Sequence, residues 1–359
     1  MTTTLTGELP TATVPERPLL ELINISKEFD VRSGGRRATL SAVTSVSLQV
    51  KEGRTLGIVG ESGCGKSTLA RVIVGLHPAT GGEMIFDNRQ IATRGRRPRD
   101  VVEQMQMVFQ DPSSALNPRA TVGESIAFPL RVRGASPKTI SERVTRVIND
   151  VGLPTSYADS YPHQLSGGQR QRVNIARALA LQPKLVVLDE AVSALDKSIQ
   201  AQVLNLLTDL QRDYRLTYVF ISHDLNVVEY VSDDVAVMYL GQVVERSPAA
   251  DLYRTPLHPY TQLLLSSIPA LDPGQRTVAD HDPGAGRDTE IPSPIDPPSG
   301  CRFRTRCPFA GPVCAELAPA PVEAEPDHLV ACHAYGEHRD SLPRLPSSVP
   351  IPLPRKDPE

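Results

Sequence analysis

No apolar run in this 359-residue chain approaches the roughly 18 residues that a membrane-spanning helix needs. The N-terminal stretch 1–18 is rich in Thr and Pro and lacks the basic start and apolar centre of a secretory leader. Neither half carries a strong excess of one charge and the formal net charge is -3, so nucleic acid is not indicated as a partner. Arg94, Arg96, Arg97 and Arg99 form only a short basic patch, which reads as a solvated loop. Cysteine is scarce: there are five, and four of them lie beyond Gly300. These absences predict a cytoplasmic protein that would reach a membrane only by docking on other subunits. Hydrophobic content of 40% is enough for a core, and the length allows two domains or one large domain with an appendage.

What the chain does have is a phosphate-loop pattern, Gly60-Glu61-Ser62-Gly63-Cys64-Gly65-Lys66-Ser67-Thr68. The apolar run 55–59 before it reads as a buried strand, and residues 69–76 after it read as a helix. Strand, glycine-rich loop and helix together turn the pattern into a site. The glycines let backbone N–H groups ring a polyphosphate, with the positive end of the helix behind them. Lys66 then reaches the β- and γ-phosphates, and the Ser67 hydroxyl holds Mg²⁺. Cys64 reads as a small packing residue. The pattern predicts a protein that binds a nucleoside triphosphate.

Apolar strands at 19–25, 43–50, 82–87, 105–110, 184–190, 217–221 and 234–238 alternate with helical stretches such as 198–212. That alternation predicts an α/β fold with a mainly parallel sheet covered on both faces. Residues 113–180 lack strand signals and read as a helical insert. Phe29, just after the first strand, suits either stacking on an adenine ring or packing. From 269 a Pro-rich linker leads to the cysteine segment, and a Pro-rich tail, 343–359, reads as disordered.

A second phosphate-binding signal, Leu165-Ser166-Gly167-Gly168-Gln169, stands immediately before a helix. With two such loops in one chain, the sequence resembles the ABC (ATP-binding cassette) ATPases. The resemblance implies that two cassettes pack head to tail, each ATP lying between the phosphate loop of one and the Ser166–Gln169 type loop of the other. It assigns Gln110 to Mg²⁺, the attacking water and the membrane subunit. It makes Asp189 the carboxylate that acts on Mg²⁺ through its coordination shell, and Glu190 the group that orients or deprotonates water. It carries Asp196 across to the partner cassette and His223 to the γ-phosphate. The fold it implies is a phosphate-loop cassette with a RecA-like core, the ABC domain spanning 19–268, the helical subdomain about 113–180 and a small cysteine-containing extension over 269–342. No element of the hydrolytic set is missing, so the expected activity is ATP hydrolysis.

The stretches from Gln106 to Arg119, from Val192 to Leu207 and from Leu257 to Leu265 are similar to the oligopeptide/dipeptide importer ATPases. Within that group the chain resembles the second of two ATPase subunits, although Ala191 stands where the family usually has Pro. The implied partners are a second ATPase subunit, two membrane permeases and an extracytoplasmic substrate-binding protein, at the cytoplasmic face of the membrane. Importers of nickel or glutathione share these motifs, so the cargo stays open. Two other classes are a soluble ABC ATPase acting on nucleic acid or ribosomes, and a regulatory module whose cysteine tail senses redox state or iron. The first commonly has coiled-coil insertions or two cassettes per chain, which this sequence lacks.

Cys301, Cys307, Cys314 and Cys332 are separated by five, six and seventeen residues, unlike the short spacing of a zinc ribbon. Some importer ATPases hold a [4Fe–4S] cluster in such a segment, and the flanking arginines would offset its charge. A cluster, zinc and free thiols all remain open from sequence, with the cluster favoured.

Overall fold

The computed structural model describes residues 17–33, 35–268 and 290–342. The expected disordered tail 343–359, the linker 269–289 and nearly all of the expected flexible N-terminus lie outside the described residues.

In chain order the first elements are β1 (Pro18–Ser33), β2 (Arg36–Lys51), β3 (Thr55–Val59), α1 (Lys66–Ile73), β4 (Gly81–Phe86), β5 (Arg89–Ile91), α2 (Arg99–Gln104) and β6 (Met105–Val108). A run of helices follows: α3 (Pro112–Ala115), α4 (Val122–Arg133), α5 (Pro137–Asp150) and α6 (Gly167–Leu179). Then come β7 (Leu185–Asp189), α7 (Lys197–Tyr214), β8 (Thr217–Ile221), α8 (Leu225–Val231), β9 (Asp234–Tyr239) and β10 (Gln242–Pro248). The chain continues through α9 (Ala249–Arg254) and α10 (Pro259–Ser266) to α11 (Val313–Glu316), β11 (Val322–Glu325) and β12 (His328–Val330).

Strands β9, β3, β8, β7 and β6 form a parallel sheet in that order. Every residue of β3, β7 and β8 is buried, as a parallel strand covered on both faces requires. Alternate side chains feed two cores. Val186, Leu188, Phe220 and Val237 join the helical side, whereas Val187, Val219, Ile221 and Ala236 pack toward α1 and the first hairpin.

Two features differ from the sequence-based expectation of a single mainly parallel sheet. The strands near 19–25, 43–50 and 82–87 belong to a separate antiparallel sheet, ordered β2-β1-β4-β5. The parallel sheet also continues antiparallel through β10, β12 and β11, so the C-terminal extension adds strands to the core. Arg97 corrects a further expectation. It is buried rather than solvated, donating to the Ile73 carbonyl and, at 2.8 Å, to the Val72 carbonyl, at the C-terminal end of α1. Burial lowers its pKa to about 10.

A buried carboxylate ties the extension to this core. Glu245 on β10 accepts from the Leu257 N–H at 2.7 Å, the His258 N–H at 2.9 Å and His328 Nε2 at 2.7 Å. His258 caps α10, its Nδ1 accepting from the Tyr260 N–H at 3.0 Å, so the neutral ring is the form that fits. Burial pushes its pKa down to about 4 from an ordinary 6.5, the Glu245 charge opposing. Between those values the unfolded chain binds a proton that the folded chain refuses, so this contribution to stability is present above the upper value and lost as pH falls toward the lower. The fall in Tm between neutral and mildly acidic pH should therefore be smaller in His258→Asn, which keeps a capping oxygen without titrating. Thermal melts across that range check this, and equal slopes in both proteins contradict it.

Candidate active site

The phosphate loop runs from the end of β3 to the start of α1. A side chain at Gly60 would place its Cβ 2.1 Å from the Met238 carbonyl oxygen, and one at Gly65 2.2 Å from that of Ala42. Both positions also have positive φ, so only glycine fits. The result is a backbone cradle with α1 behind it; the α1 N-cap, Gly65, offers no side-chain acceptor, leaving the first-turn N–H groups without one from the cap. Lys66 is buried, its Nζ donating to the carbonyls of Gly60 at 2.7 Å and Glu61 at 3.0 Å. Ser62 and Gly63 are exposed along the loop, and Thr68 is half-buried. Cys64 is buried with its Sγ 3.8 Å from Lys66 Nζ, and burial raises the thiol pKa, which suits packing rather than reactivity.

Three other strands deliver polar groups to this end of the sheet. Asp189, the last residue of β7, accepts from Ser67 Oγ at 2.8 Å; burial raises its pKa and that hydrogen bond opposes the rise. Glu190 has φ 48, a left-handed conformation that costs a non-glycine residue on the order of 1 kcal/mol and recurs at functional sites. Its Oε2 accepts from Gln110 Nε2 at 2.8 Å, just beyond β6, and lies 3.4 Å from His223 Nδ1, just beyond β8. Gln110, Glu190 and His223 therefore form one group, and the Ser67–Asp189 pair adjoins it along the chain at Glu190 and adjoins Lys66 at Ser67. Ala191, the next residue along the chain, is buried.

The other expected site residues take separate places. Ser166 caps α6 in a capping box, its Oγ accepting from the Gln169 N–H at 3.3 Å while Gln169 Oε1 accepts from the Ser166 N–H at 2.8 Å. Gly167 and Gly168 form the first turn of α6, and Gln169 Nε2 donates to Tyr157 Oη at 3.3 Å, so this loop is organised within the helical layer. Asp196 caps α7, accepting from the Ile199 N–H at 2.9 Å, and that bond lowers its pKa. Phe29 lies outside the core, edge-on to His77 at 5.5 Å and beneath Lys27 at 4.7 Å.

Cys301, Cys307, Cys314 and Cys332 line one small pocket together with His258 and His333. Among the described residues, however, no group of three or more His, Cys, Asp or Glu side chains could hold a metal ion. The [4Fe–4S] and zinc expectations are not supported. With no metal bound, burial raises the thiols of Cys307 and Cys332 to about 12. The arginines expected to offset a cluster are engaged elsewhere. Arg302 donates to the Leu240 carbonyl, and Arg306 pairs with Glu61 at 2.8 Å. Sequence reasoning missed that contact, and also Tyr260, whose Oη accepts from the Glu61 N–H at 2.9 Å. The only signal was a charged residue among the loop glycines.

Comparison with known proteins places this geometry. A profile described as ABC transporter matches residues 43–193, and one described as Oligopeptide/dipeptide transporter, C-terminal region, matches residues 244–314. The oligopeptide transport ATP-binding protein AppF of Bacillus subtilis is 47% identical over 326 residues, covering 89% of this chain and 98% of that protein. The oligopeptide transport ATP-binding protein OppF of Salmonella typhimurium is 48% identical over 322 residues, covering 88% and 95%. Among solved structures, cbiO1 of Clostridium perfringens, part of the ABC transporter complex cbiONQ, aligns at TM-score 0.57 and 28% identity over 66% of this chain and 90% of its own. The ATP-binding cassette MJ0796, a dimer bound to ADP and Pi after hydrolysis, aligns at TM-score 0.56 and 31% identity, covering 64% and 98%. With relatives this similar over nearly their whole length, the chain belongs to the ABC transporter ATPases, in the branch of the oligopeptide transport ATP-binding proteins.

Proposed function

We propose that this chain is the ATP-hydrolysing subunit that powers import of peptides through a membrane ABC complex, and that the Gln110–Glu190–His223 cluster beside Lys66 performs the hydrolysis. The observation that carries this reading is Glu190, held in a left-handed conformation with its Oε2 shared between Gln110 and His223. Phosphoryl transfer to water needs a positioned nucleophile and neutralised charge more than covalent help. Glu190 accepts the proton of the attacking water, Gln110 orients that carboxylate, and His223 meets the γ-phosphate. Lys66 and the loop N–H groups bind the phosphates, while Phe29 offers its ring to adenine. The residues fit a divalent cation: Ser67 and Gln110 would hold Mg²⁺ with Asp189 behind Ser67, and the ion would neutralise phosphate charge.

Ser166, Gly167, Gly168 and Gln169 act on the nucleotide of a second cassette, as does the loop ended by Asp196. Their placement in the helical layer, organised apart from Lys66, supports a site completed between two chains. The names of the curated relatives support peptide as cargo, and another small solute is the alternative. No described helix is long and apolar enough to cross a membrane, so permeases would come from other chains, with a substrate-binding protein outside. A docking face for the permeases is α4, where Phe128 and Val132, one turn apart, are 64% and 59% exposed. Arg133 of α4 pairs with Glu103 of α2 at 3.3 Å, beside Val102, which is 45% exposed.

Glu190→Gln should retain ATP binding and lose at least about 100-fold in phosphate release, the usual size of a general-base contribution. Nucleotide titration and a phosphate assay measure both; unchanged turnover would refute the role. Replacing Phe128 and Val132 with Ser should abolish co-purification of permeases from solubilised membranes. Undiminished recovery would place docking elsewhere.

A further inference from the structure

The ion pair between Arg306 and Glu61 joins the C-terminal extension to the phosphate loop across 245 positions of sequence. It is bidentate: Nη1 donates to Oε2 at 2.8 Å and Nη2 to Oε1 at 2.9 Å, the strongest geometry available to this pair. The Arg306 side chain is only 10% exposed, and its guanidinium lies 5.8 Å from the ring centres of both Tyr239 and Phe303. Tyr239, Tyr260 and Phe303 in turn pack on one another, with centroids 4.6 to 5.4 Å apart. The guanidinium therefore sits on a rigid aromatic platform built from β9, α10 and the extension.

Glu61 is gripped at every polar group. Arg306 holds its carboxylate, its N–H donates to Tyr260 Oη, and its carbonyl accepts from Lys66 Nζ. A second arginine of the same turn acts on the far side of the loop. Arg302 donates to the Leu240 carbonyl and, at 3.1 Å, to Thr44 Oγ1, while the neighbouring Gly241 N–H donates to the Cys64 carbonyl at 2.8 Å.

Glu61 is the only acidic side chain between Gly60 and Thr68. A carboxylate on a loop that receives a triphosphate repels it unless a cation cancels the charge. We infer that Arg306 is a positioning residue for nucleotide binding: through Glu61 it removes that repulsion and fixes the loop that presents Lys66. The extension is then part of the nucleotide site, not merely an appendage. This inference rests on the ATPase reading of the site.

The test uses the purified full chain and measures ATP affinity by titration, together with KM and kcat for hydrolysis. Arg306→Gln should raise Kd and KM for ATP by about tenfold, because it leaves a partly buried carboxylate unpaired, with kcat at saturation changed by less than about twofold. Arg306→Lys should fall between the two proteins, keeping the charge and losing the fork. The double variant Glu61→Gln with Arg306→Gln should recover most of the affinity, as removal of both charges does when the unpaired partner is the cause. Wild-type affinity in Arg306→Gln would overturn the inference. So would a double variant as weak as the single one, which would assign the defect to lost docking of the extension. Should Arg306→Gln fail to fold, the Arg306→Lys and double-variant affinities decide in the same way. A wild-type chain that binds no ATP would instead overturn the ATPase reading, and this inference with it.

Discussion

Two close backbone approaches set the shape of the nucleotide site. The Met238 carbonyl, at the end of the parallel sheet, presses on Gly60, and the Ala42 carbonyl, from the antiparallel sheet, presses on Gly65. The phosphate loop is thus wedged between two sheets that share one hydrophobic core, while a second core lies on the helical face of the parallel sheet. Nothing larger than glycine fits at either contact, and the close packing leaves the loop little room to relax. The backbone path of the loop is therefore set by packing before any phosphate arrives, and preorganisation of this kind is how such sites gain binding and rate together.

The same sheet explains why residues far apart in sequence meet. In a parallel sheet the carboxyl ends of the strands open onto one edge, where ligands of α/β proteins bind. Here β3 ends at the phosphate loop, β7 at Asp189, and β6 and β8 just before Gln110 and His223. Glu190 collects the last two through a single oxygen. The helical layer carries the Ser166–Gln169 loop on a separate support, apart from the Lys66 cradle.

Legibility in the sequence followed burial. The windows 55–59 and 217–221 coincide with β3 and β8, because every residue there is buried and all but the leading Thr55 and Thr217 lack a strongly polar side chain. The first hairpin was only half visible: the first seven residues of β2 include none that is buried, so they carry no hydrophobic signal. Strand β11, Val-Glu-Ala-Glu with no buried residue, is held by pairing with β12 alone. The phosphate loop, Glu190 and His223 stood out because their chemistry demands fixed residue types at fixed places. Arg97 and Arg306 did not, since their partners are backbone carbonyls and one distant carboxylate that no local pattern specifies. The cysteines are a different case. Their spacing does bring four thiols to one pocket, but among the described residues no metal-holding group supports the cluster.

Lys66 is central to the proposed nucleotide site, its buried Nζ held by the Gly60 and Glu61 carbonyls of the cradle. Phosphate release from MgATP by the purified full chain, measured beside Lys66→Ala, tests it most directly. ATP-dependent release by the wild-type chain is expected, with loss of both nucleotide binding and release in Lys66→Ala. Equal release by the two proteins, or no nucleotide binding by the wild type, would contradict it.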